Sequence, residues 1–213
     1  MDPEVTFMDF SFADIPDVIA TGVNSLLYPY VTEGSYLSSY YAVGGSIYGS
    51  SLFEEVLLYA SKAEEIARKS SFDIIHAHDW LSFLAGLEAK RVSGKPLVVH
   101  VHATEFDRSG GNSANPRVYE IERKGMQGAD KVVAVSSWTK QVIVEKYGIA
   151  PEKIEVVHNG VEAKDFKALP SDLTALKRAG KKIVLFHGRI TLQKGPDYFV
   201  RTADEVVIEA GKP

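Results

Sequence analysis

The sequence contains no cysteine, which excludes disulfide bonds and thiolate metal sites. It also lacks a basic excess: the formal net charge is -4, whereas proteins that bind nucleic acid or anionic membranes usually carry surplus lysine and arginine. No apolar run is long enough to span a bilayer, and the first residues do not form a signal-peptide pattern. We therefore expect a cytoplasmic protein with no nucleic-acid partner and no integral membrane segment.

The middle of the chain alternates short apolar segments with amphipathic helical patterns. Strands are predicted at 73–77, 96–102, 131–135 and 154–157, and helices at 52–69, 80–92, 118–127 and 137–147. Near-continuous apolar strands linked by helices are typical of a parallel sheet covered on both faces. The predicted fold class is therefore α/β with a Rossmann-like parallel sheet, in which ligands bind beyond the carboxyl ends of the strands.

The two ends of the chain are less regular. We predict a short strand at 5–10, a helix or loop at 14–27, and a long surface loop with one helical turn at most at 28–50. After a linker at 160–180, a strand at 183–187 and a helix at 196–210 have no sheet of their own to pack against. We expect an acceptor-side domain at 1–168 and the start of a second Rossmann-like domain at 169–213, with the chain truncated at both ends.

Two histidine pairs lie at the carboxyl ends of neighbouring predicted strands. Residues two apart in a strand share a face, so His78 and His102, the last of each pair, should reach the ligand crevice. Their companions His76 and His100 lie inside apolar strands and are expected to be hydrogen-bonded core or inter-strand histidines. Asp79 is either a ligand-contacting residue or the N-cap of the following helix.

A loop between the 183–187 strand and the 196–210 helix carries two cations. Arg189 and Lys194 can converge on one anion, and Gly188 and Gly195 permit a close approach of the backbone. A departing diphosphate requires positive charge of this kind. Taken alone, the pattern also fits a solvated loop.

Four segments in chain order resemble the motifs of retaining glycosyltransferases of the glycogen- and starch-synthase-like group, in families 4 and 5. They are HAHDW at 76–80, GADKVVAVS at 128–136, HNGV at 158–161, and FHGR at 186–189 with KG at 194–195. The resemblance covers residues 51 to 200, and Glu162 stands where this group usually has aspartate.

The resemblance implies a GT-B architecture, in which two Rossmann-like domains face each other across a cleft. Such an enzyme moves a hexose, here glucose, from a UDP- or ADP-sugar to a saccharide acceptor, with retention and without a metal or other cofactor. By position, Arg189, Lys194 and Gly188 match the donor-diphosphate loop. His102 matches the catalytic histidine that contacts the transferred sugar.

Three more positions match the sugar-binding side of such a cleft, and two family features are missing. His78 and Asp79 match a segment on the acceptor side, and Asn159 matches a turn near the donor sugar. The glycine-rich loop near the amino terminus and the Glu-x7-Glu segment of the second domain are absent from the sequence. We expect the chain alone to be weakly active or inactive, with a separately encoded C-terminal half as a candidate partner.

Two other functions remain open at this point. A non-catalytic sugar- or nucleotide-binding module fits the same motifs. A metal-dependent hydrolase is suggested by the paired histidines with Asp79, which are metal-ligand types. No further ligands follow either pair at close spacing, and a hydrolase would leave Arg189 and Lys194 without a role.

Overall fold

A parallel sheet forms the centre of the protein in a computed structural model that describes residues 22–28, 31–44, 48–111, 113–160, 171–180 and 183–210. Its four strands lie in chain order, and every neighbouring pair is parallel. They are β1 (Ile75–His78), β2 (Leu97–Val101), β3 (Lys131–Ala134) and β4 (Ile154–Val156). The predicted α/β fold class and the four strands of the middle region are confirmed.

Helices alternate with these strands and continue beyond them. They are α1 (Glu33–Ala42), α2 (Leu52–Lys69), α3 (Asp79–Ser93), α4 (Glu105–Arg108), α5 (Pro116–Gly128), α6 (Ser137–Tyr147), α7 (Ser171–Arg178) and α8 (Pro196–Ala210). The termini of these helices follow local chemistry. Ser51 and Ser136 cap the first turns of α2 and α6 with their side-chain oxygens, while Gly94 and Gly148 end α3 and α6 in the left-handed conformation.

The main core lies between one face of the sheet and helices α3, α5 and α6. Val99 and Val132, from the two central strands, are fully buried there against Phe83 and Met126. Helix α3 lies so close to the sheet at Gly86 that a Cβ atom there would be 2.8 Å from the Leu97 side chain. Helix α2 packs on the outside of α3.

The opposite face of the sheet is not covered by helices in the part of the chain that the structure describes. His76 and His78 are exposed on this face, and Val98, His100 and Val133 are half-buried. The expectation that the sheet is covered on both faces is therefore met on one face only within the described ranges.

The segment predicted as a surface loop at 28–50 contains a helix, so that prediction was wrong for 33–42. Helix α1 buries Tyr36 completely and Leu37 and Tyr40 partly, and the serine and tyrosine residues around them leave only a weak helical period in the sequence. The surrounding segment is anchored by the buried carboxylate of Glu55, which accepts hydrogen bonds from Ser25 Oγ (2.6 Å) and the Gly49 amide (2.8 Å).

The carboxyl-terminal part differs from the prediction in two ways. Residues 183–187 form no strand, and Val184 and Leu185 are exposed, because no neighbouring strand among the described residues supplies backbone hydrogen bonds. Helix α7 lies within the predicted linker, whereas α8 has the predicted bounds. The second Rossmann-like domain expected at 169–213 thus has no strand in the described residues.

Several expectations lie outside the described residues. The strand at 5–10 and the domain boundary at 168–169 are among them, and of 14–27 only 22–27 are described, without a helix. No helix in the described ranges combines the length and the apolarity needed to cross a membrane.

Candidate active site

The carboxyl ends of β1 and β2 bring two predicted site residues into direct contact. The strands pair with His78 opposite His100, so His102 lies two residues further along the same face. Nδ1 of His78 lies 3.0 Å from Nε2 of His102, and the two rings are nearly parallel with centroids 5.3 Å apart. The adjacency expected from the strand ends is therefore realised as an imidazole–imidazole hydrogen bond.

Asp79 forms a second link between the same two strand ends. It is the only non-glycine residue with positive φ (56°) among the described residues, a conformation that aspartate tolerates better than most side chains. Its Oδ1 accepts a hydrogen bond from the His102 amide at 2.8 Å. The N-cap of α3 is His78, so the alternative role of Asp79 as N-cap was wrong.

The position of the Asp79 carboxylate also tests the alternative of a metal-dependent hydrolase. Asp79 uses Oδ1 to accept a backbone amide, and it does not belong to the cluster of possible metal ligands beside it. Among the described residues, the cluster of possible metal ligands contains histidines alone. A hydrolase that needs Asp79 as a ligand receives no support from this arrangement.

A cavity of about 1080 Å³ opens over these strand ends. Its walls include six predicted site residues, namely His78, Asp79, His102, Asn159, Arg189 and Lys194. Trp80, Tyr28 and Tyr59 add aromatic surface. The volume of the cavity lies slightly above the usual range of roughly 300–1,000 Å³ for ligand pockets, which is large enough for a sugar or a nucleotide.

The cationic loop reaches this cavity through a tight turn. Residues Leu192–Lys194 form a short 3₁₀ helix that ends at Gly195, whose φ of 56° favours glycine, and α8 follows directly. Gly188 does not line the cavity, and a Cβ atom there would make only ordinary contacts, the nearest at 3.6 Å. The described geometry therefore explains glycine at 195, while a role for Gly188 at a phosphate remains a prediction.

A buried ion-pair network supports the chain just after His102. Arg108 pairs with Glu122 and Glu105 and donates a hydrogen bond to the Ala103 carbonyl at 2.8 Å. Glu122, only 3% exposed, also accepts hydrogen bonds from the Tyr147 hydroxyl and the Glu105 amide. Burial lowers the pKa of Arg108, but attraction to Glu122 and hydrogen bonds to both carboxylates outweigh it and raise that pKa overall.

The sequence pattern does not predict this ion-pair network. Its members come from three helices, α4, α5 and α6, that are far apart along the chain. One local signal was available: Thr104 and Asp107 have the spacing of a capping box, and they form one at the start of α4.

His76 and His100 were expected to be hydrogen-bonded histidines of the core or between strands, and the structure differs from this expectation. His76 is exposed, and neither ring nitrogen of His100 has a hydrogen-bonding partner in the described ranges. Burial, followed by the neighbouring histidines, lowers the pKa of His78, and the same causes lower the pKa of His100 to about 4. Both rings are therefore neutral near pH 7.

The fourth strand contributes Asn159 at the same rim. It is exposed and follows His158, whose Nδ1 lies 3.2 Å from the Val135 carbonyl oxygen. This contact ties the chain after β4 to the end of β3 and places Asn159 at the wall of the cavity.

Comparison with known proteins gives a family match over most of the chain. A family model described as Glycosyltransferase Family 4 matches residues 17–165. A D-inositol 3-phosphate glycosyltransferase of Acidothermus cellulolyticus is 36% identical over 155 residues, which are 68% of this chain and 34% of the relative. An uncharacterized glycosyltransferase of Methanocaldococcus jannaschii is 26% identical over 160 residues, 68% of this chain and 41% of the relative.

A solved structure, that of Anabaena HepE in complex with UDP and glucose, is also similar. It shares 22% identity, covers 57% of this chain and 32% of its own, and has a TM-score of 0.44. The present chain thus spans between about a third and two fifths of the length of these relatives.

Proposed function

This chain belongs to glycosyltransferase family 4, and we propose that it forms the acceptor side and the donor-phosphate loop of a retaining GT-B enzyme. The enzyme transfers a hexose, glucose in our proposal, from a nucleotide-diphosphate sugar to a saccharide acceptor. One observation carries the proposal: a single cavity joins the two cations of the loop to the histidine pair at the strand ends.

Arg189 and Lys194 have the charge that the leaving group requires. When the bond between the hexose and the diphosphate breaks, negative charge develops on the diphosphate oxygens. Cations fixed in advance around those oxygens stabilise the transition state more than the ground state. We assign Arg189 and Lys194 to this role, with Gly188 beside them, and the reaction then needs no metal cofactor.

His102 is assigned to the transferred sugar. Its backbone amide is held by Asp79 and its ring by His78, so its orientation is fixed before substrate binds. A preorganised imidazole of this kind can hydrogen-bond a sugar hydroxyl near the reaction centre without acting as a general base. His78 and Asp79 then face the acceptor, and Asn159 contacts the donor sugar.

The donor site is completed by a second Rossmann-like domain in this proposal. The relatives are more than twice as long as the region that they share with this chain. We propose that the chain alone is weakly active or inactive and works with that domain, either in one polypeptide or as a separately encoded C-terminal half.

The test uses the two-domain enzyme to which we assign this chain. UDP-glucose and ADP-glucose are offered with an oligosaccharide acceptor, nucleoside-diphosphate release is measured, and the product anomer is read by NMR. We expect transfer from one donor with retention. Donor binding without transfer to any acceptor would favour the non-catalytic module instead.

The acceptor is tested in the same assay. Several relatives are named D-inositol 3-phosphate glycosyltransferases, so inositol phosphate is offered beside the oligosaccharide. Transfer to inositol phosphate alone would reject the saccharide acceptor and the glycogen-synthase-like assignment while leaving the transferase intact.

A further inference from the structure

Three histidine rings cluster on the uncovered face of the sheet, and the transferase chemistry proposed above uses only one of them. His76 and His78 are two residues apart on β1 and therefore share a face, and His100 is paired with His78 across the strands. Ring centroids are 4.3 Å apart for His76 and His78, 5.1 Å for His78 and His100, and 5.5 Å for His76 and His100. The β-sheet itself thus holds three imidazoles together.

The spacing of their nitrogens is close to that of a metal site. One nitrogen from each of His76, His78 and His100 lies within 4.8 Å of the others. Tetrahedral zinc with Zn–N bonds of about 2.0–2.1 Å needs ligand nitrogens roughly 3.4 Å apart. The largest gap therefore exceeds this spacing by about 1.4 Å, which side-chain rotations would have to close for all three rings to bind one ion.

These nitrogens are chemically available. His76 and His78 are exposed, and His100 has two buried ring nitrogens without a hydrogen-bonding partner in the described part of the chain. A buried polar atom that lacks a partner is costly, so a ligand that satisfies it gains binding energy. The lowered pKa values of His78 and His100 keep these two rings neutral near pH 7, and the neutral imidazole is the form that coordinates metals.

Metal-bound histidines usually form a hydrogen bond through their second ring nitrogen, and His102 is the partner for such a bond at His78. Its Nε2 lies 3.0 Å from Nδ1 of His78, which leaves Nε2 of His78 for a metal. A hydrogen bond to the second ring nitrogen fixes the tautomer and the orientation of a ligating histidine. A metal on His78 would therefore also constrain His102.

We propose that His76, His78 and His100 bind one Zn²⁺ ion, or a similar transition-metal ion, through three imidazole nitrogens, with water completing the coordination. Imidazole ligands suit Zn²⁺, Ni²⁺ and Cu²⁺, whereas Mg²⁺ and Ca²⁺ prefer oxygen ligands. Among the residues that the structure describes, no carboxylate belongs to this cluster. The site is distinct from the cationic loop, and its existence does not depend on the proposed transferase activity.

The test measures zinc binding to the full 213-residue chain. After EDTA treatment and desalting, zinc is added, excess is removed by gel filtration, and bound metal is measured by mass spectrometry. We expect about one zinc per chain and no retention of magnesium under the same conditions. Loss of one ligand in His76→Ala or His100→Ala should weaken zinc binding by at least roughly tenfold.

His187→Ala is the matched control, since His187 is an exposed histidine outside the cluster. It should bind zinc like the unmodified chain, and circular dichroism of each metal-free variant checks folding. Cobalt substitution adds a second readout, because a tetrahedral site gives an intense visible spectrum that His100→Ala should abolish. Failure of the unmodified chain to retain zinc would overturn the proposal, as would unchanged binding in both ligand variants or equal loss in His187→Ala.

Discussion

The imidazole rings of His78 and His102 are hydrogen-bonded across two parallel strands, with Nδ1 of the first 3.0 Å from Nε2 of the second. A hydrogen bond between two ring nitrogens requires one to donate and the other to accept, so the contact is compatible with neutral rings. It is lost when both rings are protonated. Together with the bond from the His102 amide to Asp79, it fixes the histidine that we assign to the transferred sugar.

Asp79→Ala should destabilise the protein by about 1–2 kcal/mol, chiefly because it leaves an ordinary side chain in a left-handed conformation. It also removes the acceptor for the His102 amide, a smaller loss because this hydrogen bond is exposed and water can replace the acceptor. Asp79→Asn keeps both an acceptor oxygen and tolerance of that conformation, and should lose less. Urea unfolding measures the difference. Asp73→Ala, at a fully exposed aspartate, is the control. Equal stability of Asp79→Ala and the control would contradict the role of the bond.

Glu122→Ala should destabilise the protein by about 3 kcal/mol, at the lower end of the range for breaking a buried ion pair because Glu105 still pairs with Arg108. Glu120→Ala removes an exposed ion pair from the same helix and should change little. Thermal and urea unfolding report both variants.

A triple variant separates lost pairing from lost packing in this network. Glu105→Gln, Arg108→Met and Glu122→Leu together remove all three charges and should recover part of the stability lost in Glu122→Ala, since no charge of the network is left unpaired. A triple variant less stable than Glu122→Ala would show that packing, and not the loss of charge pairing, dominates the loss.

The stability of the metal-free chain should fall as the pH falls below about 6.5. Burial and then His102, His78 and His76 lower the pKa of His100 from 6.5 to about 4 in the folded state. Between those values the unfolded chain binds more protons, so the unfolding free energy decreases with decreasing pH and this contribution is absent above about pH 6.5.

His100→Gln removes that proton-binding site and should flatten the slope in the same pH window. His187→Gln, at an exposed histidine outside the cluster, should keep the original slope. Urea unfolding in the presence of EDTA at several pH values measures the slopes. A slope that is unchanged in His100→Gln would show that His100 does not carry the effect.

The sequence predicted the elements whose burial is periodic, and it missed contacts between distant segments. Helix α2 has apolar residues at helical spacing and the four strands lie in short apolar segments, both of which local pattern alone reveals. Helix α1 buries Tyr36 completely and only Leu37 and Tyr40 partly, among small polar residues, so its period is weak. The strand expected at 183–187 is apolar, but an apolar segment becomes a strand only beside another strand.

In the candidate site too, local pattern predicted some residues, whereas contacts that depend on backbone conformation or helix packing were not predicted. His78 and His102 were found because parallel strands bring their carboxyl ends to one edge, a property of the fold class. The link from Asp79 to the His102 amide depends on a left-handed backbone at position 79, and the pair of Arg108 with Glu122 depends on how α4 and α5 pack. Neither relationship has a signature in residue spacing.

The most direct test of the central claim is donor turnover by the two-domain enzyme with Arg189→Ala, compared with Arg201→Ala. Arg201 is an exposed cation on α8 that does not line the cavity, so its loss controls for net charge. The rate of nucleoside-diphosphate release should fall roughly 100-fold or more in Arg189→Ala and stay near the unmodified rate in Arg201→Ala. Equal rates in the two variants would contradict the role of this loop at the donor diphosphate.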